Sequence, residues 1–320
     1  MHYQIILPVY GKSPWLKEAL ESVINQSCDE WSLLIADDGL DKTTFEWLEE
    51  WTKPENKDKI KITVRPNNMG LFANINKAIE SSEADWIILL CSDDRLLNTA
   101  ISKIKTLNSE WPESQLILSS FISINHDGTK RPADSSAHHD QLVKVTAQIY
   151  PEIMIPSLLR LGSLNGNITG MAFSKALWIE AGGFREDWSH ASDWEWLIRA
   201  SEIGPILLNR EPIAEIRTHG SQLSVQNRKS GAELLEVAQV VRRLMVHPLI
   251  SNETKKNSWS GHVMQFQLWN LMKGIGQGNW RQWPGGLLAI HKSAGLRQTC
   301  ISLVQWLPTR WRRYKRANTN

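Results

Sequence analysis

Short, fully apolar runs alternate with amphipathic stretches through the first third of the chain. Residues 3–9 (YQIILPV), 32–36 (SLLIA), 60–65 (IKITVR) and 86–91 (WIILLC) read as strands. Between the first two, Leu16, Ala19, Leu20, Val23 and Ile24 recur at the helical period. Ser13 is placed to cap that helix, with Pro14 at its first position. Further helices are expected over 43–51, 71–81 and 98–108. Strands that are apolar on both faces and separated by helices predict a parallel sheet covered on both sides. Residues 115–125 (QLILSSFISIN) extend the sheet and turn at Asp127-Gly128. The pattern then weakens: 126–150 is polar and loop-like, and 164–174 is rich in small residues and glycine. A helix starts near Asp193, and from about residue 225 the chain reads as mostly helical.

Composition narrows the class. A chain of 320 residues with 42% apolar content builds a full core. The amino-terminal residues read directly as a strand, with no secretory leader. The longest uninterrupted apolar run, Trp86 to Cys91, falls far short of the roughly 20 residues of a membrane span. Cys28, Cys91 and Cys300 have neither metal-ligand nor disulfide spacing, which fits a reducing cytoplasm. The net charge of +2 conceals an asymmetry: residues 254–320 carry 11 Lys and Arg and no Asp or Glu, and the remainder is net −9. A basic tail calls for an anionic partner.

In an open parallel sheet, ligands bind beyond the carboxyl ends of the strands. Those ends carry Pro8, Val9 and Tyr10; Asp37, Asp38 and Gly39; Asn67, Asn68 and Gly70; and Ser92, Asp93 and Asp94. Carboxylates gathered at one edge repel each other unless a cation neutralises them. Hard oxygen donors suit Mg²⁺ or Mn²⁺, which also binds phosphate. The chain has no G-x-x-x-x-G-K-[ST] loop and no G-x-G-x-x-G after the first strand, which speaks against an ATPase or a dinucleotide enzyme.

The segments IILPVYGKSPWLKEALESVINQ, LLIADDGLDKTT, RPNNMGLFANINKAIESSEADWIILLCSDD, AGGFRED, SDWEWLIR and RTHGSQLS, in this order over about residues 4–224, resemble the inverting glycosyltransferases of family 2. The resemblance implies the A-type glycosyltransferase fold, a Rossmann-like mostly parallel sheet with helices on both faces. Here it would be followed by a helical, basic carboxyl-terminal extension. It implies that Asp38 accepts a hydrogen bond from the base, for which uracil offers an N–H, with Pro8, Tyr10 and Asn67 beside the nucleotide. Asp93 would touch the ribose or sugar, and Asp94 would hold Mn²⁺ or Mg²⁺. Arg217 would lie on the diphosphate, and His219 would complete the metal shell. Asp193 resembles the catalytic base. Glu195 competes for that role, but two residues along a helix are about 200° of rotation, so both cannot face one site. Asp193 is preferred. Where the family carries a Glu-Asp pair, this chain has Ser192 in the first position. Asn76 is read as structural, and His138-His139-Asp140 as non-catalytic.

Three regions follow: 1–105 for the nucleotide sugar, 106–224 for acceptor and catalysis within the same domain, and 225–320 as a helical, Trp-rich basic region. The expected reaction is transfer of a sugar from a nucleotide donor, UDP being favoured by Asp38, to a glycan or lipid-linked glycan of bacterial surface-polysaccharide type. The absence of a Q-x-x-R-W element points to single additions. The basic tail with six tryptophans after residue 254 suits an anionic membrane surface better than nucleic acid. That places the enzyme in the cytoplasm, on the inner face of the membrane. A non-catalytic glycan or membrane-complex scaffold and a sugar nucleotidyltransferase are the competing classes. The second lacks a glycine-rich basic loop for a triphosphate. Nothing in the sequence sets the oligomeric state.

Overall fold

The structure is a computed structural model. It describes every residue except 12, 40–41, 52–55, 132–137, 165–166, 277, 279 and 318–320. Among the described residues the chain divides into two compact units, one of residues 1–154 and 163–220 and one of residues 155–162 and 221–320.

The first unit begins with β1 (Tyr3–Val9), α1 (Leu16–Ile24), β2 (Ser32–Asp37), α2 (Lys42–Glu49), β3 (Ile60–Val64), α3 (Leu71–Ser81) and β4 (Trp86–Leu89). These four strands are parallel, in spatial order β3-β2-β1-β4, with Val9 opposite Asp37 and Ile6 opposite Leu89. All seven residues of β1 are buried, as strands covered on both faces require. On one face Leu16, Leu20 and Val23 of α1 pack with Ile5, Leu7, Leu33, Ile35 and Ile88. α1 starts later than its sequence suggests. Ser13 Oγ accepts the Trp15 amide at 3.3 Å, so Ser13-Pro14-Trp15 forms a turn, and the helix begins at Leu16 without a side-chain cap.

The chain continues through β5 (Arg95–Leu96), α4 (Ala100–Glu110) and β6 (Leu116–Asn125), then a short 3-10 helix (His138–Gln141), β7 (Ala147–Ile149) and α5 (Pro151–Leu161). β8 (Ala172–Ser174), α6 (Lys175–Ala181), α7 (Ser192–Ile203) and β9 (Ile206–Thr218) complete the sheet. β8 inserts antiparallel between β4 and β6, and β9 runs parallel to β6. Among the described residues, nine strands form one sheet.

The sequence pattern does not mark β5, α5, α6, β7, β8 or β9. β7 lies inside the stretch read as a loop, and β8 is three residues inside the small-residue stretch. β9 is broken in sequence by Asn209-Arg210-Glu211-Pro212, where its register against β6 shifts at Ser119 and Ser120. Such a bulge interrupts the alternation that marks a strand. α5 carries Pro156 within it. The turn at Asp127-Gly128 is present, with Gly128 at φ +85°.

The second unit holds α8 (Leu223–Ser230), α9 (Ala232–Met245), α10 (Glu253–Gly276), α11 (Trp283–Ala294) and α12 (Leu296–Ala317). No helix among the described residues is long and apolar enough to cross a membrane.

Asn76 of α3 is buried and structural. Its Nδ2 donates to the Phe184 carbonyl at 2.8 Å, and its Oδ1 accepts the Phe184 amide at 2.9 Å. This seats Phe184 against Phe72, Phe173 and Trp196. Asn76→Ala strands two buried backbone groups and should cost about 2–3 kcal/mol. The urea midpoint should fall with an unchanged m-value; an unshifted midpoint contradicts this role.

Candidate active site

Beyond β4 the chain turns sharply. The Cys91 amide donates to Thr169 Oγ1 at 3.0 Å, and the Asp94 amide closes on the Cys91 carbonyl at 3.2 Å. Arg95 and Leu96 then pair with Glu215 and Ala214 of β9. Asp93 and Asp94 are thereby held between the end of β4 and the last turns of β9. Their environments differ. Asp94 is buried: Oδ2 accepts from the Thr169 hydroxyl at 2.6 Å and Oδ1 from the Arg217 amide at 2.8 Å. Burial, and next the charge of Asp93, push Asp94 up to about 8 against those two hydrogen bonds. The Asp93 side chain is about a quarter exposed, and its Oδ2 lies 2.9 Å from Nε2 of His219.

Arg217 does not sit where the family resemblance puts it. Its guanidinium is fully buried. Nε donates to the Asp93 carbonyl at 2.8 Å, Nη1 to the carbonyls of Asn125 and His126 at 3.3 and 3.0 Å, and Nη2 to Glu18 at 2.6 Å. A buried cation needs such partners to offset its desolvation. Arg217 therefore braces the site from beneath, and its side chain faces protein groups instead of the open edge. Glu18 also pairs with Arg95 at 2.9 Å, and Arg95 with Glu215 at 2.5 Å. Trp15 lies over both basic elements, 4.3 Å from the His219 ring and 5.2 Å from the Arg217 guanidinium. Its indole N–H donates to the His126 carbonyl at 2.8 Å.

Asp193 lies in the first turn of α7 and is largely buried. Burial first, then the charges of Asp94 and Asp93, and to a smaller extent that of Asp193, raise the Cys91 thiol well above its ordinary value. Glu195 points into another structure. It forms an ion pair with Arg199 at 2.8 Å, and Arg199 donates to the carbonyls of Ala181, Gly182 and Gly183. Ser192, standing where the family has an acid, donates to the Arg185 carbonyl at 3.0 Å. His139 is wholly buried and Asp140 is ion-paired with Arg210; the His138 side chain lies outside the described residues.

At the ends of β1 to β3, Pro8 is buried opposite Ala36, while Tyr10 and Asn67 are exposed. Asp38 is buried, and its two oxygens accept the amides of Met69 and Gly70 at 2.7 and 2.9 Å. An ionised carboxylate offers about four lone-pair directions, so two remain.

Sequence reading passed over Trp15, Glu18, Arg95 and Thr169. Trp15 and Glu18 stand three residues apart at the start of a helix, one turn from the ligand edge, a spacing that could have marked them. Thr169 lies in a stretch of small residues and gives no signal.

The Sγ of Cys91 and carboxylate oxygens of Asp93 and Asp94 lie within 4.8 Å of one another. With the imidazole of His219 against Asp93, these oxygen and nitrogen donors fit a divalent cation such as Mn²⁺. The Asp93–His219 pair, with about a quarter of the Asp93 side chain and a tenth of the His219 side chain exposed, is the more accessible part of that set.

Comparison with known proteins agrees with this architecture. The model of glycosyl transferase family 2 matches residues 4–173, more than half of the chain. The chain belongs to that family and carries its glycosyltransferase domain. An uncharacterized glycosyltransferase of Haemophilus influenzae is 34% identical over 100 residues, 31% of this chain and 39% of that protein. The poly(ribitol-phosphate) beta-glucosyltransferase of Bacillus spizizenii is 27% identical over 134 residues, 41% of this chain and 21% of that one. The matched part is thus well under half the length of either relative. Among solved structures, residues 1–349 of S. aureus TarS in complex with UDP-GlcNAc align with a TM-score of 0.68 at 17% identity, covering 93% of this chain and 83% of that one. Mannosyltransferase PcManGT from Pyrobaculum calidifontis, in complex with GDP-Man and Mn²⁺, aligns with a TM-score of 0.57 at 13% identity, covering 99% and 83%. At these identities the likeness is one of fold.

The raised Asp94 has a measurable consequence. Its folded-state value of about 8 exceeds the ordinary 3.8. In the cation-free protein its contribution to stability is therefore fully present below about 3.8 and lost as pH rises through about 8. At pH 7 the carboxyl carries its proton, and a cation at Asp93 favours the ionised form. Mn²⁺ binding should release a proton, with affinity rising by up to about tenfold per pH unit toward pH 8. Calorimetry at pH 7 in two buffers of different ionisation enthalpy checks this; buffer-independent heats contradict it.

Proposed function

We propose that the chain is an inverting glycosyltransferase that moves a sugar from a nucleotide donor to a hydroxyl of a glycan or lipid-linked glycan. One observation carries the reading: Asp93, Asp94 and His219 gather at the carboxyl end of β4, where an open α/β sheet binds its ligand, and Asp193 starts the helix whose charge reaches Cys91 in the same turn. The structural likeness to proteins solved with UDP-GlcNAc and GDP-Man supports it.

The donor's base and ribose lie over the ends of β1 to β3, beside Pro8, Tyr10 and Asn67, with a remaining lone pair of Asp38 accepting the N–H of uracil. UDP is the favoured nucleotide on that ground. In place of Asp94 and His219, the pair the family resemblance implies, Asp93 and His219 would hold Mn²⁺ or Mg²⁺, because Asp94 is buried with both oxygens already accepting from the Thr169 hydroxyl and the Arg217 amide. When bound, the cation supplies Lewis acidity toward a diphosphate. Thr169 and the Arg217 amide fix the Asp94 carboxyl, and the Arg217 guanidinium fixes the Asp93 backbone. Trp15 and Asp93 orient the His219 ring. Asp193 takes the proton of the acceptor hydroxyl. The acceptor oxygen forms its bond to the anomeric carbon as the bond to the nucleotide diphosphate breaks, and the diphosphate leaves with the electron pair. A single displacement of this kind inverts the anomeric centre. The basic carboxyl-terminal region holds the enzyme at an anionic membrane surface, on the cytoplasmic face.

Asp193→Asn should lower turnover of a UDP-sugar by about 10²–10⁴ while preserving donor binding, read as an unchanged thermal shift with donor and Mn²⁺. Glu195→Gln should do the reverse, lowering the melting temperature and sparing turnover. Full activity in Asp193→Asn overturns the mechanism. Donor binding without turnover in the unmodified protein favours a scaffold instead.

A further inference from the structure

The helical unit has an outer face for which the interior gives no use. Along α12, Gln298, Ser302 and Trp306 follow one another at four-residue spacing and face α10. A Cβ on Gly261 of α10 would lie 2.8 Å from Gln298 and 2.9 Å from Ser302, and Trp306 meets Trp269 at 6.3 Å. Thr299 and Leu303 are buried beside them. The opposite side of α12 presents Cys300, Ile301, Val304, Leu307 and Pro308, all exposed, with Val304 at 66%. These positions recur at intervals of three and four residues, so they form one stripe along the helix. The last turns of α12 carry Arg310, Arg312, Arg313, Lys315 and Arg316 in sequence, and no acid follows Glu253.

An apolar stripe on the outside of a helix, continued by a dense basic segment, is the pattern of a helix lying in the plane of a membrane interface. We propose that α12 is the membrane-docking element of this protein, with Cys300, Ile301, Val304 and Leu307 seated among the acyl chains of an anionic bilayer and the basic end against its headgroups. The charge selects an anionic surface. The stripe selects a lipid surface over a nucleic acid, whose phosphates reward the arginines but leave five apolar positions in water. This inference rests on the membrane location proposed above and assigns it to one helix and one face. The transfer chemistry of the first unit does not depend on it.

Sedimentation with vesicles tests it, using the full chain with phosphatidylcholine alone and with phosphatidylcholine containing phosphatidylglycerol. Binding is expected only to the anionic vesicles. An Ile301→Asp/Val304→Asp variant should bind on the order of tenfold or more weakly. Neutralising any one of the five basic residues should weaken binding roughly fivefold. Val246→Asp, at an exposed apolar position on another element, should bind as the unmodified protein does. As a check independent of the variants' folding, an environment-sensitive fluorophore on Cys300, in a Cys28→Ser background, should shift to the blue with anionic vesicles. No binding to anionic vesicles, undiminished binding of the Ile301→Asp/Val304→Asp protein, an unshifted fluorophore, or binding to a DNA duplex but not to vesicles overturns the proposal. Nucleotide-sugar turnover by the variant with soluble reagents separates failure of this docking face from failure of the glycosyltransferase reading.

Discussion

A fully buried guanidinium is the constraint around which the site is built. Arg217 ends the long strand β9 inside the protein, where an unpaired cation would be strongly destabilising. Its hydrogen bonds reach the backbone of Asp93, the turn at Asn125 and His126, and Glu18 of α1. Three separate segments are thus fixed by one side chain, and its own amide fixes Asp94. His219, two residues further on, inherits its position from this anchor and from the indole of Trp15. The partly exposed pair of Asp93 and His219 therefore rests on a buried polar support. Preorganised groups of this sort are what a charge-developing reaction exploits.

The two aspartates show how far neighbours can separate. Asp94 loses its solvent, gains two hydrogen bonds and is driven toward its neutral form by burial and by Asp93. Asp93 keeps a solvent-exposed edge and an imidazole partner. The same residue type, one position apart, supplies a supporting group and an accessible one. Asp193 and Glu195 are divided in the same way: the arginine one turn beyond Glu195 takes that carboxylate into a clamp on the carbonyls of residues 181–183, while the charge of Asp193 reaches Cys91.

The nucleotide half of the fold was legible because β1, β2 and β4 are apolar on both faces and their helices carry a clean period. The second half was less so. β9 hides behind Asn209-Arg210-Glu211-Pro212, and β8 is too short to alternate. Within the site, the end of the fourth strand pointed to Asp93 and Asp94, and the family resemblance added Asp193 and His219 as candidates. It could not tell that Arg217 is buried, because a basic residue before a ligand edge looks the same whether it faces phosphate or Glu18. Nor could it divide the roles of Asp93 and Asp94, which depend on the Thr169 hydroxyl arriving from 75 residues away. The outer stripe of α12 was invisible for a related reason: apolar positions on a helix mark a core until the partner helix is seen to occupy the other side.

The most direct test of this account is an anomalous difference map from crystals grown with Mn²⁺ and UDP. A manganese peak is expected between Asp93 and His219, with the diphosphate on its open side and the Arg217 guanidinium still on Glu18 and the Asp93 carbonyl. A nucleotide bound with Arg217 swung out onto its phosphates and no manganese at Asp93 would contradict it.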